Sequence, residues 1–227
     1  MRTLKVMRLQ FMNKDTFIWA PLIILACCVV ISFAIYAIIP GDANKYGGAA
    51  QGVLWYFGAV AIYALTRTFP FSQALSVTRR QFYIGTLLAA VVTAAALALL
   101  FVLGGYAEQA TGGFWVKGYM FYLPWLWENG PLGAGFVYFT IAMLFFVIGY
   151  LFAVIYKSLG NKIMLVCIAA LSLVLIGLIG LATWQNAWPG VWAEILRLGA
   201  VGLAAWGMLI AVVLAAIGWF PMRRAIP

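Results

Sequence analysis

The chain has 227 residues, 67% apolar and only 8% charged, with 14 Lys and Arg against 5 Asp and Glu and no histidine. A charged fraction so far below the roughly 25% of soluble domains excludes an ordinary water-soluble fold and predicts a membrane protein. Without histidine the chain lacks the commonest general base and the commonest metal ligand together.

Residues 1–16 are basic, and Leu4, Met7 and Phe11 recur at helical spacing. This predicts an N-terminal interfacial helix, blurred by Val6, Leu9 and Met12 on other faces. A signal peptide is the competing reading. The apolar run after Phe17 is longer than the roughly 7 to 15 residues of a signal core and has no clear small-x-small cleavage site, so it is read as a retained span. Apolar runs predict six spans at about 17–39, 47–65, 82–106, 133–156, 163–183 and 199–220. Each reaches the roughly 17 to 25 residues that a helix rising about 1.5 Å per residue needs to cross the hydrocarbon. The fold class is therefore all-α polytopic, one transmembrane domain over residues 1–227.

After the first span, Gly47, Gly48 and Gly52 let the second begin beside a close neighbour. The third carries Ala89, Ala90, Ala94, Ala95, Ala96 and Ala98, read either as a close-packed helix inside the bundle or as generic apolar filler. Cys27, Cys28 and Cys167 fall inside spans and read as small apolar packing residues. Two segments are rich in aromatics: residues 107–132, with Trp115, Trp125 and Trp127, and residues 183–198, with Trp184, Trp188 and Trp192. The bland reading is an aromatic belt at the headgroup layer, and the sharper one is an outward gate. Glu194 and Arg197, three apart, are placed to pair on one helix face.

Orientation follows from charge, because Lys and Arg accumulate on the cytoplasmic side of short loops. Eleven fall on one side: Arg2, Lys5, Arg8, Lys14, Arg67, Arg79, Arg80, Lys157, Lys162, Arg223 and Arg224. The opposite loops hold Lys45, Lys117 and Arg197 with Asp42, Glu108, Glu128 and Glu194. Both termini are expected inside, in the plasma (inner) membrane. The net charge of +9 is explained by this asymmetry and by attraction to anionic membrane lipid, so no nucleic-acid partner is expected.

The basic interruption at residues 66–81 is the most informative stretch. Pro70 or Ser72 is suited to start a short helix, and Thr78 stands three before Gln81 as a capping box for the third span. Phe69, Phe71 and Leu75 are apolar side chains set among Arg67, Gln73, Ser76, Val77, Arg79 and Arg80, where a partner would bury them. The bland reading is a loop that only fixes topology. The order Phe-Pro-Phe-Ser-x-Ala-Leu-Ser-Val-Thr-Arg-Arg-x-Phe, between the second and third of six spans, resembles the cytoplasmic coupling segment of ABC-2-type permeases, the membrane subunits of ATP-driven exporters.

That resemblance implies a short cytoplasmic coupling helix, an N-terminal helix along the cytoplasmic face, and short outer helices between spans 5 and 6, where Pro189-Gly190 offers a break. It makes Trp184, Trp188, Pro189, Trp192, Glu194 and Arg197 outer-gate candidates. It also implies a second permease subunit and two ATPase subunits that bind ATP and Mg. The sequence itself contains no P-loop and no catalytic motif, so no enzyme activity, cofactor or metal is expected in this chain. No predicted span carries a lone buried charge, which weakens a standalone secondary carrier. The runner-up is a non-transporting immunity or sensor subunit using the same loop to bind a soluble partner. Lipids, hydrophobic peptides and drugs all stand as cargo classes.

Overall fold

The computed structural model describes residues 2–41 and 43–223, with side chains from Lys5 onward. The readings placed on Asp42 and Arg224, and on the side chains of Arg2 and Leu4, lie outside the described residues. Six helices are long and apolar enough to cross a membrane: Asp15–Ile38, Ala49–Ala74, Arg79–Ala110, Gly130–Leu159, Asn161–Trp184 and Trp188–Met222.

Helix α1 (Arg2–Met12) comes first, then a π turn (Asp15–Trp19) that runs into α2 (Ala20–Ile38). The buried face of α1 is not the predicted one. Val6 and Gln10, one turn apart, are buried, whereas Met7 and Phe11 are half-buried. The reason is polar. α1 packs on α5 (Arg79–Ala110), where the Gln10 side-chain amide donates to the Thr86 hydroxyl at 2.8 Å inside the fold.

Helix α5 starts where the sequence indicates. Thr78 caps the Gln81 amide at 3.3 Å and Gln81 returns the bond to the Thr78 amide at 3.3 Å. Its buried stripe, Phe82, Thr86, Ala90, Thr93, Leu97, Phe101 and Gly105, keeps the three-to-four residue spacing of one helix face. Of the predicted alanines, Ala89, Ala90, Ala94 and Ala98 are buried, and Ala95 and Ala96 face outward.

The centre of the bundle is α6 (Gly130–Leu159), which packs chiefly on α8 (Trp188–Met222), on α3 (Gly52–Tyr63) and on α5. Two glycines set the α3–α6 approach: a Cβ on Gly149 would run into the Gly58 backbone. Stacked Trp55 and Phe145 (5.3 Å between rings) and edge-on Phe57 and Phe146 (6.2 Å) fill the space beside them. By contrast α7 (Asn161–Trp184) has no buried residue and touches the bundle mainly along α6.

Helix α8 is broken at Gly199, whose φ of +62° suits a residue without Cβ, into a short piece at 188–198 and a longer one from 200 onward. Pro189 sits in the first turn of that short piece, so Pro189-Gly190 begins a helix and does not break one. Two strands of two residues, β1 (Lys45–Tyr46) and β2 (Gly118–Tyr119), pair in parallel and tie the loop after α2 to the segment between α5 and α6.

Candidate functional site

The stretch singled out in the sequence forms a hydrogen-bonded corner between two long helices. α3 continues through a π turn (Ala64–Thr68) into α4 (Phe69–Ala74) with helical dihedrals throughout, so the predicted short helix is the end of the second long helix and not a separate element. Pro70 lies in the first turn of α4. It lacks the N–H that would bond the Thr66 carbonyl, and the wider π turn just before it accommodates the ring.

Ser72 does not cap. It is buried, and its hydroxyl donates back to the Phe69 carbonyl at 2.7 Å. The corner closes with Ser76 in the left-handed region (φ +56°), the Val77 amide donating to the Ser72 carbonyl at 3.1 Å and the Gln73 side chain to the Val77 carbonyl at 3.0 Å. The Val77 amide satisfies the Ser72 carbonyl and the Ser76 amide that of Gln73, in the manner of a left-handed helix cap, and with the Gln73 side chain they fix the corner.

The candidate residues then divide. Phe69 is 0% exposed, its ring 5.1 Å from that of Phe82, so it belongs to the core and has no surface left for a partner, contrary to the expectation that it is available. Phe71 and Leu75, one turn apart, are 55% and 56% exposed. Arg67, Ser76 and Arg80 are also exposed, while Pro70, Gln73, Val77 and Arg79 are half-buried. Arg79 sits at the start of α5, where the helix dipole disfavours a cation. Its guanidinium is engaged elsewhere, donating to the Arg223 carbonyl just past the end of α8.

At the other end of α5 the structure assembles a cluster that the sequence does not announce. α5 runs to Ala110, past the predicted end at about 106, and carries Glu108 into its last turn. The carboxylate is fully buried and accepts three backbone amides: Met120 at 2.8 Å, Phe121 at 2.9 Å and Tyr122 at 2.7 Å. The Phe121 carbonyl in turn accepts from the Trp127 indole at 2.9 Å and the Tyr138 hydroxyl at 2.5 Å. Gly104 and Gly105 leave room for the Phe121 and Trp127 rings. The end of the third span is therefore corrected: α5 takes Glu108, counted in the sequence as an outer-loop acid, into its buried last turn. Three peptide N–H groups converge on the carboxyl group at a chain reversal and offset part of the cost of burying it. Lys45 works similarly next door, its ammonium donating to the Tyr36 and Ile39 carbonyls at 2.7 Å each and closing the end of α2.

The predicted outer-gate residues are not drawn together. Trp184, Trp188 and Trp192 are exposed, and the Trp188 indole donates to the Thr183 hydroxyl at 3.0 Å. Glu194 and Arg197 do pair, at 2.5 Å, with both side chains largely exposed. In the other aromatic segment Met120, Phe121, Leu126 and Trp127 are buried, and Trp115 and Trp125 are not. The three cysteines are unpaired, and among the described residues no group of His, Cys, Asp and Glu is arranged to hold a metal. No protein-family model, curated protein or solved structure matches the chain.

Proposed function

We propose that this chain is the membrane-spanning permease subunit of an ABC-type exporter, coupled through residues 66–81 to a separate ATPase subunit that binds ATP and Mg. The observation that carries the reading is the corner itself. Phe71 and Leu75 stand outward on a turn whose backbone is tied by hydrogen bonds, so they are held ready and cost little ordering entropy on docking. A loop that only fixes topology needs charge alone. It has no use for two exposed apolar side chains on a rigid base.

Force on such a corner passes directly into the bundle. α4 is continuous with α3, Phe69 locks the corner to α5 through Phe82, and α3 is seated on α6 at Gly58 and Gly149. ATP-driven closure of the partners then tilts α3 and α5 together as one body. The absence of any buried residue on α7 and the sparse burial on α2, limited to Pro21, Ser32 and Tyr36, leave two long apolar faces for a second permease subunit. In this reading α1 lies along the cytoplasmic face, and the short helix at 188–198 lies on the outer face beside the exposed tryptophans.

Two measurements test it. With Cys27, Cys28 and Cys167 replaced, single cysteines at the exposed positions Ser76 and Asn161 should label only from the cytoplasm, and those at Asn44 and Asn186 only from outside. Labelling of Ser76 from outside contradicts the orientation. Purification of the chain from its native membrane should bring with it a Mg-dependent ATPase in equal amount. Material free of ATPase at low salt in mild detergent contradicts the exporter reading.

A further inference from the structure

Where α5 begins and α8 ends, the two helices touch only lightly and leave a groove of about 500 Å³ between them. Its walls are apolar: Ile84 and Leu87 on one side, Ala215, Ala216 and Phe220 on the other. The Tyr83 hydroxyl donates to the Ala215 carbonyl across it, so the polar groups of the groove are turned to each other. Arg80 lines one end of the groove. The Arg223 guanidinium lies over the Trp219 and Phe220 rings at 5.4 and 5.7 Å, and Arg79 is held against the Arg223 carbonyl.

We infer that this groove binds an anionic glycerophospholipid, its phosphate between Arg80 and Arg223 and one acyl chain lying along Ile84, Leu87 and Ala216. Three arguments select that occupant. The walls belong to two helices that are long and apolar enough to cross a membrane, so the apolar length of the groove suits a hydrocarbon chain. The charge is one-sided: three guanidinium groups gather at the mouth, Arg80 has no ion-pair partner among the described residues, and the carboxylates of Glu108 and Glu194 are engaged elsewhere. The groove also runs along about two thirds of one leaflet. From Arg80 to Leu87 the helix rises about 10 Å, against roughly 15 Å for one leaflet of hydrocarbon. A cation held over aromatic rings stays at the level of the lipid phosphates and is not drawn away into water.

The site stands independently of the exporter reading, because it is read by lipid binding to the isolated subunit. Purified protein in mild detergent is titrated with phosphatidylglycerol and, separately, phosphatidylcholine of the same chains, and bound lipid is counted by native mass spectrometry. Phosphatidylglycerol should bind about 25-fold more tightly, since each of the two basic residues beside the phosphate contributes a factor of about five. Arg80→Gln should remove most of that preference, weakening phosphatidylglycerol more than phosphatidylcholine, whose phosphate meets the same guanidinium but whose choline offsets its charge. Ala216→Trp, which fills the groove from an exposed position on α8, should weaken both lipids, and Ile84→Trp should do the same from the α5 wall. Lys162→Gln, a basic residue outside the groove, should bind as the unaltered protein does. Equal binding of the two lipids overturns the inference. So does full binding when either wall is filled, or a loss with Lys162→Gln as large as with Arg80→Gln, which would reduce the effect to general surface charge.

Discussion

Replacing Glu108 with alanine is expected to cost about 3 kcal/mol of stability or more, because it strips the acceptor from the buried amides of Met120 and Phe121 and the half-buried amide of Tyr122. Each orphaned buried donor costs roughly 1 to 3 kcal/mol. The volume lost at this fully buried position leaves a cavity, which adds to it. Glu108→Gln should cost less, about 1 to 2 kcal/mol: its single carbonyl still accepts, but the charge assistance is gone and the NH₂ faces an amide it cannot bond. Denaturant unfolding in detergent gives the size of the effect, and hydrogen exchange gives its location, since the amides of Met120, Phe121 and Tyr122 should become the fast ones in the alanine variant. Unchanged stability with unchanged protection at those three residues would mean that the carboxylate does not organise this end of the bundle.

Why Glu108 was not legible, while the capping box at Thr78 and Gln81 was, is a matter of range. The box is a contact three residues long, set by one turn of backbone. Glu108 finds its acceptor role 12 to 14 residues further on, and only after the chain has reversed. In sequence it is one acid among loop acids. The same holds for Gly58 and Gly149, whose close approach joins helices far apart in the chain, and for the pairing of Lys45 with Gly118.

Composition made the six long apolar helices legible, since length and hydropathy are properties of each segment by itself. It could not say that α7 would bury nothing, because lipid-facing and partner-facing helix surfaces have the same composition. Within the corner, Phe69 and Phe71 look alike in sequence. The helical twist sends one against Phe82 and the other outward.

That difference sets up the second large effect. Phe71→Ala should lower the free energy of docking to an ATPase subunit by about 1 to 4 kcal/mol, the range of a buried aromatic anchor, and leave unfolding unchanged because the ring contributes little to this chain's own core. Phe69→Ala should do the reverse first, costing roughly 3 to 5 kcal/mol of folding stability through the cavity left against Phe82. Leu75→Ala should act with Phe71→Ala, and the pair should be non-additive because the side chains are one turn apart. Arg67→Gln should be milder and should fade as salt is raised, as expected of an exposed charge.

The most direct test of a coupling corner is therefore the Phe71→Ala, Leu75→Ala double variant, inserted in the membrane at the level of the unaltered protein and purified with whatever ATPase it retains. Loss of both the bound subunit and the associated ATP hydrolysis, with unfolding unchanged, is the predicted result. Full recovery of the subunit with undiminished hydrolysis would contradict the account and leave residues 66–81 as a topology signal.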